Sequence, residues 1–481
     1  MKYWKQLGQS LSDSKNNDIS FPALGMGLAM NSTGDIIACG QGTFEGEDTP
    51  LKIFKFNNLT SKWEQLGNSI SPEITDNENI FGAGNGWYVD LSDDGYTLVT
   101  NTNNSYIQVY NYNEQSNTWE KKGFNIHGEP PYFNAGISIS SDGNIIALGN
   151  PINTNNIGMV RVFKYQEYTQ TNEDNEKYHY QSYNNNTEQL KPLIMTENTD
   201  TPPVVGNFYW TQLGIDIDGN PESDNYLGYR LSLSKDGSTL AIGGRHSHPN
   251  SIIPSEEGNV KVYTYNSEND NWEQKGSTIW GEKPWDFGGV GVALSRDGHI
   301  VAMSHPINEY NSNRKGYVKI FYYNFFRNDW VQLGETINES AKKDNNYGWN
   351  IDLSDDGFTI LIGAYKTTNP NINNKVDMGR VYEPTQVFKF NPIKHQWEQK
   401  GQDIKGIIYT SGHNVKINSD GSRIVIGSWA ANLVEVYEYV DDPIFEIKMK
   451  AVLKKYPVTK FKIKENIIEY VLKMWDIMQL I

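Results

Sequence analysis

At 481 residues, 37% of them hydrophobic, the chain is long enough to bury a large core. Its formal net charge of −16 argues against duplex DNA or RNA as a main ligand, because phosphate binding needs a concentrated basic surface. One cysteine, Cys39, excludes an intramolecular disulfide and thiolate metal clusters; it reads as a small buried apolar residue at a strand end.

The amino terminus runs almost directly into Trp4-Lys5-Gln6-Leu7-Gly8, without the charged and apolar stretches of a secretion signal. No uncharged apolar run approaches the roughly 18–20 residues that span a bilayer. The expectation is a soluble protein without a membrane span, cytoplasmic or virion-associated. Abundant Asn, Ile, Lys and Tyr match AT-rich codons, which admits a virion or surface component of a large DNA virus.

One pattern recurs seven times. A Trp with Gly four residues later begins at Trp4, Trp63, Trp119, Trp210, Trp272, Trp330 and Trp397. Each is followed by a tight turn: Thr33-Gly34, then Asp-Gly at 94–95, 142–143, 236–237, 297–298, 356–357 and 420–421. Asp-Gly between two alternating runs is a strong hairpin signal, since Gly accepts the positive φ that the turn demands. Nine residues before each turn glycine stands Gly25, Gly86, Asn134, Gly228, Gly289, Gly348 or Gly412. Each repeat closes on an alternating aromatic strand, of which Val260 to Tyr265 is typical.

Four short strands repeated seven times fit radial repetition better than a sandwich. The predicted fold is all-β: a seven-bladed β-propeller of four-stranded antiparallel blades over residues 1–440. Its innermost strand precedes the turn and its Trp strand is outermost. The last repeat lacks a Trp strand, whereas the chain begins with one, so Tyr3 to Gly8 should complete the seventh blade. A polar insert, 166–209, reads as a mobile excursion between third and fourth strands. Residues 441–481 form a small extension with strand-like alternation and then a helix from Glu465. The extension carries 8 Lys against 6 Asp+Glu, net +2, which leaves −18 for residues 1–440. Its helix is apolar around most of its circumference, and Ile468, Leu472 and Trp475 are expected to bury against the propeller or a second subunit, making a homo-oligomer.

With these elements placed, the repeat resembles the FG-GAP type, in the variant W-x-Q-x-G-x-x-I-x-G, then G-x-x-V-x-L-S-x-D-G. The aromatic-Gly part stands as Phe133-Asn134 and Tyr347-Gly348; the strand end stands as Gly149-Asn150-Pro151, Gly363-Ala364-Tyr365 and Ser304-His305-Pro306. The resemblance covers residues 1–440 and extends distantly to the integrin α head. It implies a propeller serving recognition or structure, not an enzyme. The calcium loop of integrin-type repeats is not reproduced; Asp216-Ile217-Asp218-Gly219-Asn220 comes closest and occurs once.

No nucleophile elbow, phosphate loop, HExxH or CxxC pattern is present. His246 and His248 share a loop but have no third ligand at a recognisable spacing, so neither a metal nor a cofactor is expected. The Asp of each turn should bond its local backbone. Asp93-Asp94 and Asp355-Asp356 should be spread around the rim rather than converging as glycosidase chemistry requires. The seven Trp residues are read as caps on the blade interfaces in preference to sugar-stacking platforms.

Strand alternation puts the inter-blade loops and the loops between second and third strands on one face, with the uniform turns opposite. Variable loops over a regular scaffold usually carry binding. Tyr132, Phe133, Trp280, Trp285 and Phe287 are the candidate ligand-binding residues, expected as an exposed aromatic anchor. The leading expectation is a non-enzymatic scaffold or module binding a protein partner; the alternative is a lectin-like propeller binding a glycan.

Overall fold

In the repeat around Asp236-Gly237, strands Leu227–Leu233, Thr239–Gly244, Asn259–Asn266 and Asn271–Gln274 pair antiparallel in chain order. The computed structural model describes residues 2–12, 23–42, 50–71, 87–101, 106–127, 136–152, 157–169, 194–195, 203–224, 226–247, 256–283, 285–306, 316–338, 346–364, 384–404 and 411–441. It builds seven such blades: 23–65, 89–121, 137–212, 227–274, 292–332, 351–399, and 411–441 with 2–6. We number them 1 to 7. The only helical turn among the described residues is a 3-10 segment, Trp429–Ala431. No helix among them is long and apolar enough to cross a membrane.

Trp4–Glu438 forms one compact unit, and Met1–Tyr3 with Tyr439–Ile481 forms another. Of the second, residues 2–3 and 439–441 are described, all as strand ends. Ile468, Leu472 and Trp475 lie outside the described residues, as does most of the 166–209 insert. The described parts of that insert extend the third blade: Ile194 bridges Thr211, and Glu167 pairs with Phe208.

Blade 7 is completed from the amino terminus, as its missing strand predicted. The strand Lys2–Gln6 lies beside Leu433–Asp441, and Leu7 N–H donates to Val436 O at 2.7 Å.

The Trp and Gly of the outer motif act together between neighbouring blades. The indole N–H of Trp63 donates to Leu7 O, Trp119 to Leu66 O, Trp210 to Lys122 O, Trp272 to Leu213 O, Trp330 to Lys275 O, Trp397 to Leu333 O and Trp4 to Lys400 O. All seven bonds measure 2.7–2.9 Å. Each acceptor immediately precedes the motif glycine of the preceding blade. That glycine takes positive φ and leaves the indole a bare backbone to lie on: a Cβ on Gly123 would stand 2.9 Å from Trp210 Cδ1. After the glycine, the chain returns to pair a second time with the third strand, as Ile279 does with Val260. The W-x-Q-x-G-x-x-I spacing therefore encodes one split outer strand and one clasp to the next blade.

The turns are built from their own side chains. Ser234 Oγ donates to Asp236 Oδ1 at 2.6 Å and accepts Thr239 N–H at 2.9 Å, while Asp236 Oδ1 accepts Ser238 N–H at 3.0 Å. In blades 1 and 7 the amides of Asn31 and Asn418 replace the serine.

The residue between Ser and Asp forms a second structure that the sequence reading placed wrongly. Backbone N–H donates to C=O around a closed circle, Ser32 to Asp93 to Ser141 to Lys235 to Arg296 to Asp355 to Ser419 and back to Ser32, at 2.8–3.1 Å. Asp93 and Asp355 are thus not spread around the rim. They meet at the axis, bridged by Arg296 Nη1 at 3.2 and 3.0 Å, and Lys235 also binds Asp93. Two cations oppose two anions there, which explains why the carboxylates tolerate their proximity.

Candidate functional site

Each inner strand alternates one side chain into an inter-blade core with one toward the axis. Leu28, Val89, Leu231, Val292, Ile351 and Val415 take the core positions and are buried. The axial positions surround a cavity of about 70 Å³ to which all seven inner strands contribute, with Trp87, Tyr88, Arg230, Asn350, Asn414 and Lys416 among its walls. It is the central channel.

The channel has three levels. At the turn face lies the hydrogen-bonded circle with its ion pairs. Above it, axial side chains cap amides of the next inner strand: Asp90 Oδ2 accepts Ile139 N–H at 3.1 Å, Ser138 Oγ accepts Leu233 N–H at 3.0 Å and Ser232 Oγ accepts Leu294 N–H at 3.0 Å. Asp352 Oδ2 accepts Ile417 N–H at 2.9 Å. Lys416 faces these carboxylates. Burial pulls its ammonium down, but Asp352 and Asp90 outweigh that and hold it above its ordinary value.

The third level, at the loop face, is aromatic and cationic. Arg230 donates Nε to Val290 O at 3.1 Å, and its guanidinium lies 6.0 Å from the Tyr88 ring centre and 5.8 Å from that of Tyr229. The Arg245 guanidinium lies 5.4, 5.3 and 5.6 Å from the rings of Tyr229, Phe287 and Trp349, within reach of cation–π attraction. Neither arginine has a carboxylate within ion-pair distance among the described residues, and Arg245 Nε is buried without an acceptor. Beside them His246 Nδ1 meets Glu256 Oε2 at 2.7 Å; burial, opposed by Glu256 and assisted by Arg245, keeps this imidazole below its usual range. His413, 6.1 Å from Trp349, is pushed down to about 3 by burial and by Arg230.

The expected ligand-binding residues divide. Phe287 is only 8% exposed and packs edge-on to His246 at 5.1 Å, under Arg245, so it is a wall of the mouth and not an exposed anchor. Trp285 is half-buried at 6.4 Å from Phe287. Asp286 between them is buried, accepting Lys283 N–H at 2.8 Å and the Tyr317 hydroxyl at 2.6 Å. Trp285 and Phe287 have φ of 67° and 50°, a backbone region that bulky residues occupy at a cost and that functional loops often retain. Trp280, half-buried, sits opposite Asn259 on the short outer strand. Tyr132 and Phe133 lie outside the described residues.

Two weighed metal readings also meet the structure. The Asp216 carboxylate is gripped by Arg161 at 2.7 and 2.8 Å and by Gln212 at 2.8 Å, which commits both oxygens and removes it as a calcium ligand. His246 is engaged with Glu256, and no group of three metal-ligating side chains occurs among the described residues.

Tyr88, Arg230, Asn350 and Asn414 each stand seven residues before a turn glycine, as do Gly27, Gly136 and Gly291. Stacking the repeats on that glycine is the signal that would have placed them around one ring.

No protein family profile matches the chain, and no curated protein matches its sequence. Among solved structures, a candidate 6-phosphogluconolactonase from Bacteroides uniformis is similar at 14% identity, covering 84% of this chain and 96% of that one with a TM-score of 0.47. The hydrazine synthase of Kuenenia stuttgartiensis is similar at 13% identity, covering 89% and 99%, with a TM-score of 0.49. No activity passes from either to this chain.

Proposed function

We propose that this propeller is a non-enzymatic, FG-GAP-like recognition module that binds a protein partner across its loop face. The observation that carries the reading is the difference between the two ends of the channel. The turn end is closed by seven backbone hydrogen bonds and satisfied ion pairs, whereas the loop end gathers Arg230 and Arg245 with four aromatic rings around them. Aromatic and arginine side chains are the types that dominate interface energetics. The recurrence of the outer motif and turn in seven copies supports the FG-GAP likeness.

Affinity capture with the full chain from a cellular protein pool, beside a glycan array, tests the reading. A protein captured by the wild type and lost when Trp285 is changed to Ala is the expected result. Binding to the glycan array with no protein captured would replace the protein partner by a sugar.

A further inference from the structure

We infer that Arg230 and Arg245 form a carboxylate-binding site, so that the partner is held by an acidic side chain of a peptide segment. The inference rests on the recognition reading and adds the chemistry of what is recognised.

Charge sets the first constraint. The chain has 58 Asp+Glu against 42 Lys+Arg, yet among the described residues these two guanidiniums have no acid within ion-pair distance. Acids of the channel and of the His246 loop are engaged elsewhere: Asp90 and Asp352 on strand amides and Lys416, Glu256 on His246. Buried Arg161 and Lys261 have carboxylates in Asp216 and Asp224, and buried Lys122 has the oxygens of Gly143 and Asn144. Arg230 and Arg245 both lie over the Tyr229 ring, at the same mouth.

Desolvation sets the second. Among the described residues Arg245 Nε is a buried charged donor without an acceptor, a state that is costly and uncommon unless something external completes it. Trp429, eight residues after its turn glycine just as Arg245 is after Gly237, also has a buried indole N–H with no acceptor.

Shape decides the ligand class. Tyr229, Phe287 and Trp349 surround the Arg245 guanidinium, and a guanidinium whose faces are covered by rings offers its N–H groups in its own plane. A planar carboxylate meets that fork with two parallel hydrogen bonds. The central cavity of about 70 Å³ has Arg230, though not Arg245 or its rings, in its wall. It is far smaller than the roughly 300–1,000 Å³ of a pocket for a whole small-molecule ligand.

The test uses the full chain and two capped peptide pools that differ only in having Glu or Gln at one fixed position, read by fluorescence polarisation. The Glu pool is expected to bind at least about tenfold more tightly. Arg230→Gln and Arg245→Gln should abolish that preference, and Lys283→Gln, at an exposed loop position outside the cluster, should leave it intact. Melting curves establish that each variant is folded. Should Arg245→Gln fail to fold, Arg230→Gln and competition of the wild type with glutarate against inorganic phosphate decide the matter. Glutarate is expected to displace the peptide and phosphate is not. Equal binding of the two pools, or displacement by phosphate alone, overturns the inference. A partner captured equally by the wild type and both arginine variants overturns it too, while leaving the recognition reading standing. Retention of acidic glycans in place of either peptide pool overturns the peptide as the source of the carboxylate.

Discussion

The indole N–H of Trp4 donates to the carbonyl of Lys400 at 2.8 Å across a sequence separation of 396 residues. Trp4 is 3% exposed, and its bond is the same clasp that Trp63 makes to Leu7 at the other side of the amino-terminal strand. The ring is therefore closed by two consecutive clasps that share this strand. Trp4→Ala should cost about 3–5 kcal/mol, as for other buried aromatics, and Trp63→Ala a similar amount. Removing residues 1–9 should expose the third strand of blade 7 as an edge and promote aggregation. Urea midpoints and light scattering check both; a Trp4→Ala variant within experimental error of wild type would mean that the closure carries no stability.

A clasp glycine and a glycine outside the clasps separate two costs. Gly123 has φ +76° and a Cβ there would stand 2.9 Å from Trp210 Cδ1, whereas Gly206 has φ +87° with nothing closer than 4.0 Å. Gly206→Ala should cost only the left-handed backbone term of about 1–2 kcal/mol. Gly123→Ala should cost more, because the indole must move and its hydrogen bond to Lys122 O is strained. Equal losses in denaturant melts would remove the argument that contact with the Trp is what selects glycine.

His305 makes stability depend on pH in a definite window. It is 2% exposed and stacks on Tyr317 at 4.1 Å; burial and the nearby Lys319 push it from 6.5 to about 3. Between those values the unfolded chain binds a proton that the folded one does not. Stability therefore rises with pH across the window and falls as pH drops from 6.5 toward 3, by about 1.4 kcal/mol per pH unit for this one group. Titration calorimetry or melting over pH 6.5 to 4 should show that slope reduced by about that amount in His305→Phe.

Asp236 acts lower on the scale. Burial raises its carboxyl, but hydrogen bonds from Ser234 and from the amide and hydroxyl of Ser238 outweigh it, leaving the group below its ordinary 3.8. Its contribution is complete above the unfolded value and is lost as pH falls through the lower folded value. Asp236→Asn should blunt acid unfolding below about pH 4 and leave the neutral-to-mildly acidic slope of His305 unchanged, as melts at pH 2.5 to 4 can verify.

The scaffold was legible because its determinants are local. Ser234, Asp236 and Gly237 bond within one turn, and Trp210 and Gly214 lie within one strand and its bend, so the sequence spacing contains them. The mouth was not legible in the same way. Arg230 and Arg245 are ordinary residues in the middle of one strand and just past the end of the next, and they share aromatic walls only because blades 2, 4, 5 and 6 converge on one axis. The same convergence brought Asp93 to Asp355, which chain spacing had assigned to separate places on the rim. Phe287 was expected to be exposed because it lies on an inter-blade loop; what covers it is Arg245 and His246, which reach it from a different loop.

Phe287 and Trp285, two positions apart, carry opposite expectations. Phe287 is 8% exposed and lies against Arg245 and His246, so Phe287→Ala should leave a cavity and cost about 3–5 kcal/mol of stability. Trp285 is half-buried and touches Phe287 at 6.4 Å. Trp285→Ala keeps the Cβ that a positive φ disfavours and loses less packing, costing stability little. If Trp285 is an anchor for the partner, the same change should weaken binding by about 2 kcal/mol, close to thirtyfold. Measuring melting and partner affinity for both variants separates the roles: a Trp285→Ala protein as unstable as Phe287→Ala would place Trp285 in the core of the mouth and leave the recognition surface to the arginines alone.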